Sequence, residues 1–334
     1  MSGSAVVTRH LGFTAPLFPD NLFGHLVATA VPGVEEWRDG AYRRSLRLPG
    51  GPGVVALVPP GDDAPGDDAP GDDAAGGGTA AAGAGHVVAT LHLSDPADAD
   101  RAELLARRIL DLDADPHAVH ATLRADPVLA PLVDAAPGRR VPGSPDPEEF
   151  AVRAVLGQQV STAAARTHAA RLVRAHGEPL DRAPFGEELR AAGSTLTHLF
   201  PDPHALSGLD PEELRMPRTR RRTVVTLVEA LAGGDVDLAG VHVGRVDLAA
   251  ARAALGALPG IGPWTVDSVA MRSLGDADAF LPTDLGIRAV AERLDLPAKE
   301  RDLVARAEPW RPYRAYATQY LWAALDHAVN TMPG

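Results

Sequence analysis

Residues 258–268 read LPGIGPWTVDS. A helical pattern runs into this stretch from Leu248 (LAAARAALGA), and another runs out of it (TVDSVAMRSL). Between them Gly260 and Gly262 flank Ile261; both glycines can take positive φ and leave no Cβ in the way of an approaching group. Pro263 suits the first turn of the second helix, where its missing N–H would be unpaired anyway. The free amides of such a turn and helix start point outward as an anion site, and nucleic-acid phosphate is the natural polyanion for it. A tight αα turn with glycines placed for packing accounts for the same residues, so the stretch alone leaves both readings open.

Working outward, AFLPTDLGIRAV (279–290) sets Asp284 at the start of another helix, 20 residues beyond Trp264. An aspartate there caps the helix, and a cap also fixes a carboxylate in place, so capping and catalysis are compatible. From about Asp98 onward the whole pattern is helical, with start signals such as Asp146-Pro147 followed by Glu149. Residues 10–100 alternate instead: GFTAPL, Tyr42–Leu48, Gly53–Val58 and His86–Leu93 read as strands, with a helix-like LFGHLVATAV after the first. The fold class expected is an α+β N-terminal domain (antiparallel sheet with helices) over residues 1–115, followed by an all-α domain over 116–334. With 334 residues, 45% of them hydrophobic, the chain can build both cores. PGDDA occurs three times in tandem at 60–74, and residues 59–85 hold no large apolar side chain, which reads as a disordered acidic and Gly/Ala insert.

Composition removes several chemistries. Without cysteine there is no disulfide, cysteine-held iron–sulfur cluster, thiolate zinc site or cysteine nucleophile. Lys299, in LPAKER, is the only lysine and so the only candidate for a Schiff base. The net charge of −12 argues mildly against nucleic acid, but six aspartates of the PGDDA repeats supply half of it. No apolar run approaches the ~18 residues a membrane span needs, and the N-terminus lacks a secretion pattern. No membrane association is expected, and a cytoplasmic location is.

LPGIGPWT together with FLPTDLGIR resembles the signature of the helix-hairpin-helix DNA glycosylase superfamily, most of all bacterial 3-methyladenine DNA glycosylase II, the AlkA type. VPGVEEWRDGAYRRSL (31–46) resembles that family's N-terminal β-domain. RVPGSPDPEEFAVRAVLGQQVS (140–161) is similar to the start of its helical domain, and WRPYRAYATQYLW (310–322) to its C-terminal helix.

The resemblance implies hydrolysis of the N-glycosidic bond of alkylated purines, of the 3-methyladenine and 7-methylguanine type, in duplex DNA. Asp284 is then the catalytic carboxylate, stabilising oxocarbenium character on the sugar or orienting water. Trp264 stands where lyase-competent relatives carry their lysine, which implies a monofunctional enzyme that leaves an abasic site. Trp264, Trp322, His25 and Ser268 would form the base pocket, an aromatic face attracting a cationic base. Gln159 would wedge into the duplex, although Gln158 or Gln159 pairing with backbone explains the pattern too. Leu258, Gly260, Ile261, Gly262 and Thr265 would form the phosphate-binding hairpin. Arg218, Arg220 and Arg221, with Arg222 beside them, are candidate phosphate contacts at a helix start, or simply solvated.

The resemblance implies no redox cofactor and no metal held by side chains, with a monovalent cation at the hairpin carbonyls, and a monomer is expected. His25, Ser268, Leu285 and Ala323 replace residues that tend to be aromatic in the family, and Thr283 replaces an acidic one. These departures leave open a glycosylase for a bulkier lesion, or a non-catalytic damage-binding protein. Trp310 and Tyr316 read as core.

Overall fold

The computed structural model describes residues 4–60, 84–180, 183–325 and 327–334. Most of the PGDDA and Gly/Ala insert, residues 61–83, lies outside the described residues.

Five strands, β1 (Ala5–Thr14), β2 (Glu35–Arg38), β3 (Ala41–Leu48), β4 (Gly51–Val58) and β5 (Ala84–Leu93), form an antiparallel sheet in the order β1-β5-β4-β3-β2. Successive side chains alternate between faces, so β4 sends Val55 and Leu57 to one side and Val54 to the other. On the first side, α1 (Asp20–Ala28) and α2 (Ala99–Leu110) cover the sheet with Leu22, Phe23, Leu105 and Ile109. On the other, Val54 meets Leu180, Phe185, Leu189, Leu196 and Leu199, which come from the helical half. β2 was not expected as a separate strand. Its inward residues are glutamates, not apolar side chains: Glu35 and Glu36 are 5% and 8% exposed.

The remaining helices are α3 (Pro116–Leu123), α4 (Ala130–Ala135), α5 (Pro147–Leu156), α6 (Thr162–His176), α7 (Gly186–Ala191), α8 (Pro203–Leu206), α9 (Arg218–Gly233), α10 (Ala239–His242), α11 (Leu248–Gly256), α12 (Pro263–Ser273), α13 (Leu285–Arg293), α14 (Glu300–Arg306) and α15 (Arg314–Ala323). Aspartates 115, 146, 247 and 284 start α3, α5, α11 and α13, each accepting backbone N–H groups of the first turn. Two cores result. One joins α5, α6, α9 and α11, and the other joins α3, α4, α13, α14 and α15. α12 is the seam, giving Val269 to the first core and Ala270 and Met271 to the second. Trp310 and Tyr316 are buried in the second core, as read from the sequence.

A buried ionic cluster locks the sheet to the helices. Arg44 pairs with Glu149 at 2.7 Å, and Arg153 pairs with Glu149 at 2.7 Å and Glu35 at 3.0 Å. Tyr42 donates to Glu35 at 2.6 Å. Among the described residues, no helix is long and apolar enough to cross a membrane.

Candidate active site

α12 begins at the hairpin, and its first turn points at the start of α13. Trp264 Nε1 donates to Asp284 Oδ2 at 3.0 Å. From α15, Trp322 Nε1 donates to Asp284 Oδ1 at 2.9 Å, and the Ile287 amide, in the first turn of α13, donates to the same oxygen at 3.1 Å. Three N–H donors therefore fix the plane of one carboxylate. Gly286 allows the approach, since a Cβ there would lie 3.0 Å from Asp284 Oδ1 and 3.2 Å from Trp322 Cδ1.

This carboxylate faces a cleft of about 500 Å³ between α1, α5, α6, α12 and α15. Trp264, Trp322, His25 and Ser268 all line it, and among the described residues Asp284 is the only carboxylate that does. Leu285 and Ala323 do not line it, and Leu285 is 81% exposed.

Two features of the cleft were not read from the sequence. Arg272, on α12, is 6% exposed and lines the cleft. It donates to Pro142 O at 2.8 Å and approaches His25 Nδ1 at 3.3 Å, and its guanidinium lies 5.6 Å over the Trp322 ring. Burial holds its pKa down to about 9. Burial, followed by the charges of Arg272 and Arg153, pushes His25 well below the ordinary imidazole range, so His25 is neutral. The second feature is a wall from the chain's last described segment, where His327 and Val329 line the cleft and Asn330 Nδ2 donates to Trp322 O at 3.0 Å. Asn330 bonds the Trp322 and Leu325 carbonyls, eight and five residues back across the end of α15, and periodicity cannot show such a contact.

The hairpin is partly as expected. Gly260 has φ +87°, and a Cβ there would meet Thr223 Oγ1 of α9 at 2.1 Å. Gly262 is different: it is extended, with φ −98° and ψ 173°, and open space faces it. Ile261 and Thr265 are 7% and 2% exposed, and their amides are already used, donating to Leu258 O and Gly262 O. These two anchor the turn rather than contact phosphate, and half-buried Leu258 packs against the same core. The amides of Gly260, Gly262 and Trp264 have no acceptor among the described residues and form the outward set. Leu258 O and Gly260 O each accept one internal hydrogen bond, and Gly262 O accepts two, from the Thr265 and Val266 amides. A carbonyl has two lone pairs, so only Leu258 O and Gly260 O keep one for a monovalent cation.

The two glutamines divide the roles weighed for them. Gln158 Nε2 donates to Thr265 Oγ1 at 3.0 Å and to Gly260 O at 3.3 Å, tying the α5–α6 turn to the hairpin. Gln159 is exposed, with φ +56°, between Gly157 and Val160, which line the cleft. At the start of α9, Arg218 and Arg222 are exposed and Arg220 is half-buried. Arg221 is not free for phosphate: its Nε donates to Met216 O at 2.7 Å and its Nη1 lies 2.5 Å from Glu212, so it fixes the preceding turn. Lys299 is exposed at the start of α14, outside the cleft. Among the described residues, no group of three or more His, Asp or Glu side chains could hold a metal ion.

Residues 8–146 match the family model of the AlkA N-terminal domain. The Mycobacterium tuberculosis protein named "Probable bifunctional transcriptional activator/DNA repair enzyme AlkA" is 46% identical over 99% of this chain, and the chain spans 60% of that relative's length. Escherichia coli DNA-3-methyladenine glycosylase 2 is 32% identical, over 90% of this chain and 92% of its own. Among solved structures, the 3-methyladenine DNA glycosylase from Archaeoglobus fulgidus gives a TM-score of 0.71 at 18% identity, covering 95% of this chain and 97% of that one. The apo 8-oxoguanine glycosylase/lyase of Clostridium acetobutylicum gives 0.63 at 15% identity, covering 96% and 99%. These structures share the fold of this chain. By its sequence relatives, the chain belongs to the AlkA family of DNA-3-methyladenine glycosylases.

Proposed function

We propose that this chain is a monofunctional DNA glycosylase that excises alkylated purines, of the 3-methyladenine and 7-methylguanine type, from duplex DNA in the cytoplasm, acting as a monomer. The observation that carries this reading is Asp284, held by Trp264, Trp322 and the Ile287 amide at the edge of a cleft able to take a base.

A backbone phosphate docks on the amides of Gly260, Gly262 and Trp264, with Arg218, Arg220 and Arg222 at the neighbouring helix start adding charge. The damaged nucleotide turns out of the stack, and Gln159 fills the gap it leaves, offsetting part of the few kcal/mol that flipping costs. With the base in the cleft, the bond from C1′ to the base nitrogen breaks and its electron pair leaves with the base. Asp284 stabilises the positive charge left on the sugar, and water adds to C1′. A cationic alkylated purine departs neutral, so this step needs no general acid. Lys299 is remote from the cleft and Trp264 cannot form a Schiff base, so the product is an intact strand with an abasic site.

Single-turnover release of bases from methylated duplex DNA tests this reading, comparing wild type with Asp284→Asn. Asparagine keeps the cap and loses the charge. One charge acting about 4 Å from the sugar at an effective dielectric near 20 is worth about 4 kcal/mol, so release should fall by roughly three orders of magnitude with binding to abasic DNA unchanged. Tight binding with no release by wild type would leave a damage-binding protein, or a glycosylase for a bulkier lesion.

A further inference from the structure

One wall of the cleft comes from no long helix. After α15 the chain makes a short helical turn (Ala328–Asn330) and passes over to the half that carries the sheet. His327 and Val329 of this segment line the cleft. Contacts at both ends hold it. Asn330 Nδ2 donates to Trp322 O at 3.0 Å and to Leu325 O at 3.2 Å. Thr331 lies against Gly24 of α1, and Met332 packs on the core that α1 and α2 form with the sheet. Beyond it, Trp37 Nε1 of β2 donates to Gly334 O at 3.2 Å.

Gly24 measures how close this passage is. A Cβ there would lie 2.4 Å from Thr331 O and 3.0 Å from both Thr331 N and Val329 O. These are backbone atoms, so the segment would have to move as a whole. Gly24 sits inside α1 without a positive φ, a position where alanine is the better helix former. The passage of residues 329–331 is what requires glycine there.

We infer that residues 327–332 set the size of base the cleft admits, with Val329 as a specificity-determining residue. This rests on the glycosylase reading above and narrows its substrate class to purines with small alkyl groups. The cleft, about 500 Å³, falls in the roughly 300–1,000 Å³ range that takes drug-sized molecules. A flipped purine leaves part of it unfilled, so the position of the walls decides which adducts fit. A wall selects by size only if it does not yield. Here Asn330 is bonded to the carbonyl of Trp322, whose indole holds Asp284. The end of α15 therefore sets the distance from wall to carboxylate. A substituent that pushed the wall outward would strain the same helix end and misplace the reacting carbon. On the far side, the contacts with α1 and β2 keep the segment from swinging away.

The test compares single-turnover release of 7-methylguanine and 7-benzylguanine from otherwise identical duplexes. Both bases are cationic, alkylated at the same nitrogen, and depart neutral, so size is what separates them. Wild type is compared with Val329→Ala, which trims the wall, and with Gly24→Ala, which displaces it from a position outside the cleft lining. The readout is the ratio of the two rates within each preparation, which a partly unfolded sample does not change. Wild type should favour 7-methylguanine. Each variant should raise the relative release of 7-benzylguanine by at least about tenfold, the lower end of what one methylene is worth in an apolar pocket. Release of 7-methylguanine should stay within about threefold. A wild type that releases the two bases equally, or a ratio unchanged by either variant, overturns this role and leaves the glycosylase reading standing. Wild type that releases neither base overturns both.

Discussion

The two indoles that hold Asp284 are not equivalent, and the difference can be measured. Asp284 Oδ2 has one donor, Trp264 Nε1 at 3.0 Å, whereas Oδ1 has two, Trp322 Nε1 at 2.9 Å and the Ile287 amide at 3.1 Å. Phenylalanine at either position keeps an aromatic face and deletes only the N–H. Trp264→Phe leaves Oδ2 with no protein donor, so the carboxylate can swing about the bond that Ile287 still anchors. A hydrogen bond to a charged group contributes about 1.5–3 kcal/mol, which sets an expected fall of roughly 10- to 100-fold in single-turnover release. Trp322→Phe leaves Oδ1 bonded and should cost less than about fivefold by the same reasoning. The assay is excision at saturating enzyme, with affinity for abasic-site DNA as the control for folding and docking. Equal losses, or a greater loss for Trp322→Phe, would refute the assignment of Trp264 as the residue that positions Asp284.

Gly286→Ala adds a methyl group 3.0 Å from Asp284 Oδ1 and 3.2 Å from Trp322 Cδ1. Helix propensity favours alanine by about 1 kcal/mol, so the melting temperature should hold or rise while excision falls by about tenfold, the cost of a small misplacement at the reacting centre. Gln158→Ala removes both side-chain bonds between the α5–α6 turn and the hairpin; DNA affinity should weaken by about tenfold for the two bonds lost, with little change in rate at saturating enzyme, as read by fluorescence anisotropy. Asp111, which accepts from Tyr316 OH and the Val141 amide, is pushed up by burial from 3.8 to about 6. The folded state thus binds a proton that the unfolded state releases between those values, and this contribution is complete below 3.8 and lost as pH rises through about 6. Asp111→Asn should flatten that part of the stability profile in urea melts from pH 4 to 7.

What could be read ahead of the structure follows from where information sits in a sequence. The hairpin and the capping aspartate declare themselves locally, because turn chemistry and helix starts act over a few residues, whereas the two tryptophans were placed by resemblance to the family. The helical half was legible for the same reason, through apolar periodicity and start signals such as Asp146-Pro147. β2 was hidden because its buried residues, Glu35 and Glu36, are satisfied by distant partners: Arg153 for the first, Ser194 and Thr195 for the second. Arg272 was hidden more deeply, since an arginine in the last turn of a helix reads as a solvated charge, and its burial comes from distant partners, Pro142, His25 and Trp322. Thr265 and Ile261 were misassigned because a motif names the residues of a turn without saying which amides face inward.

On the proposed function, the phosphate grip and the chemistry would fall on one short segment. The outward amides of Gly260, Gly262 and Trp264 end where the Trp264 side chain begins, and that side chain holds Oδ2 of Asp284. Gln158 binds the same turn from the other side, and its neighbour Gln159 is exposed, between Gly157 and Val160 of the cleft lining. On that proposal, a phosphate seated on the hairpin would fix, through one rigid helix start, the distance from the flipped sugar to the carboxylate, and through one glutamine, the position of the group that fills the gap. Misplacement of about 1 Å at a reacting centre can cost a hundredfold, so a grip built on a separate, independently moving loop would lose rate even with the same contacts. Thr265 and Ile261, buried and bonded inward, contribute by preventing that movement.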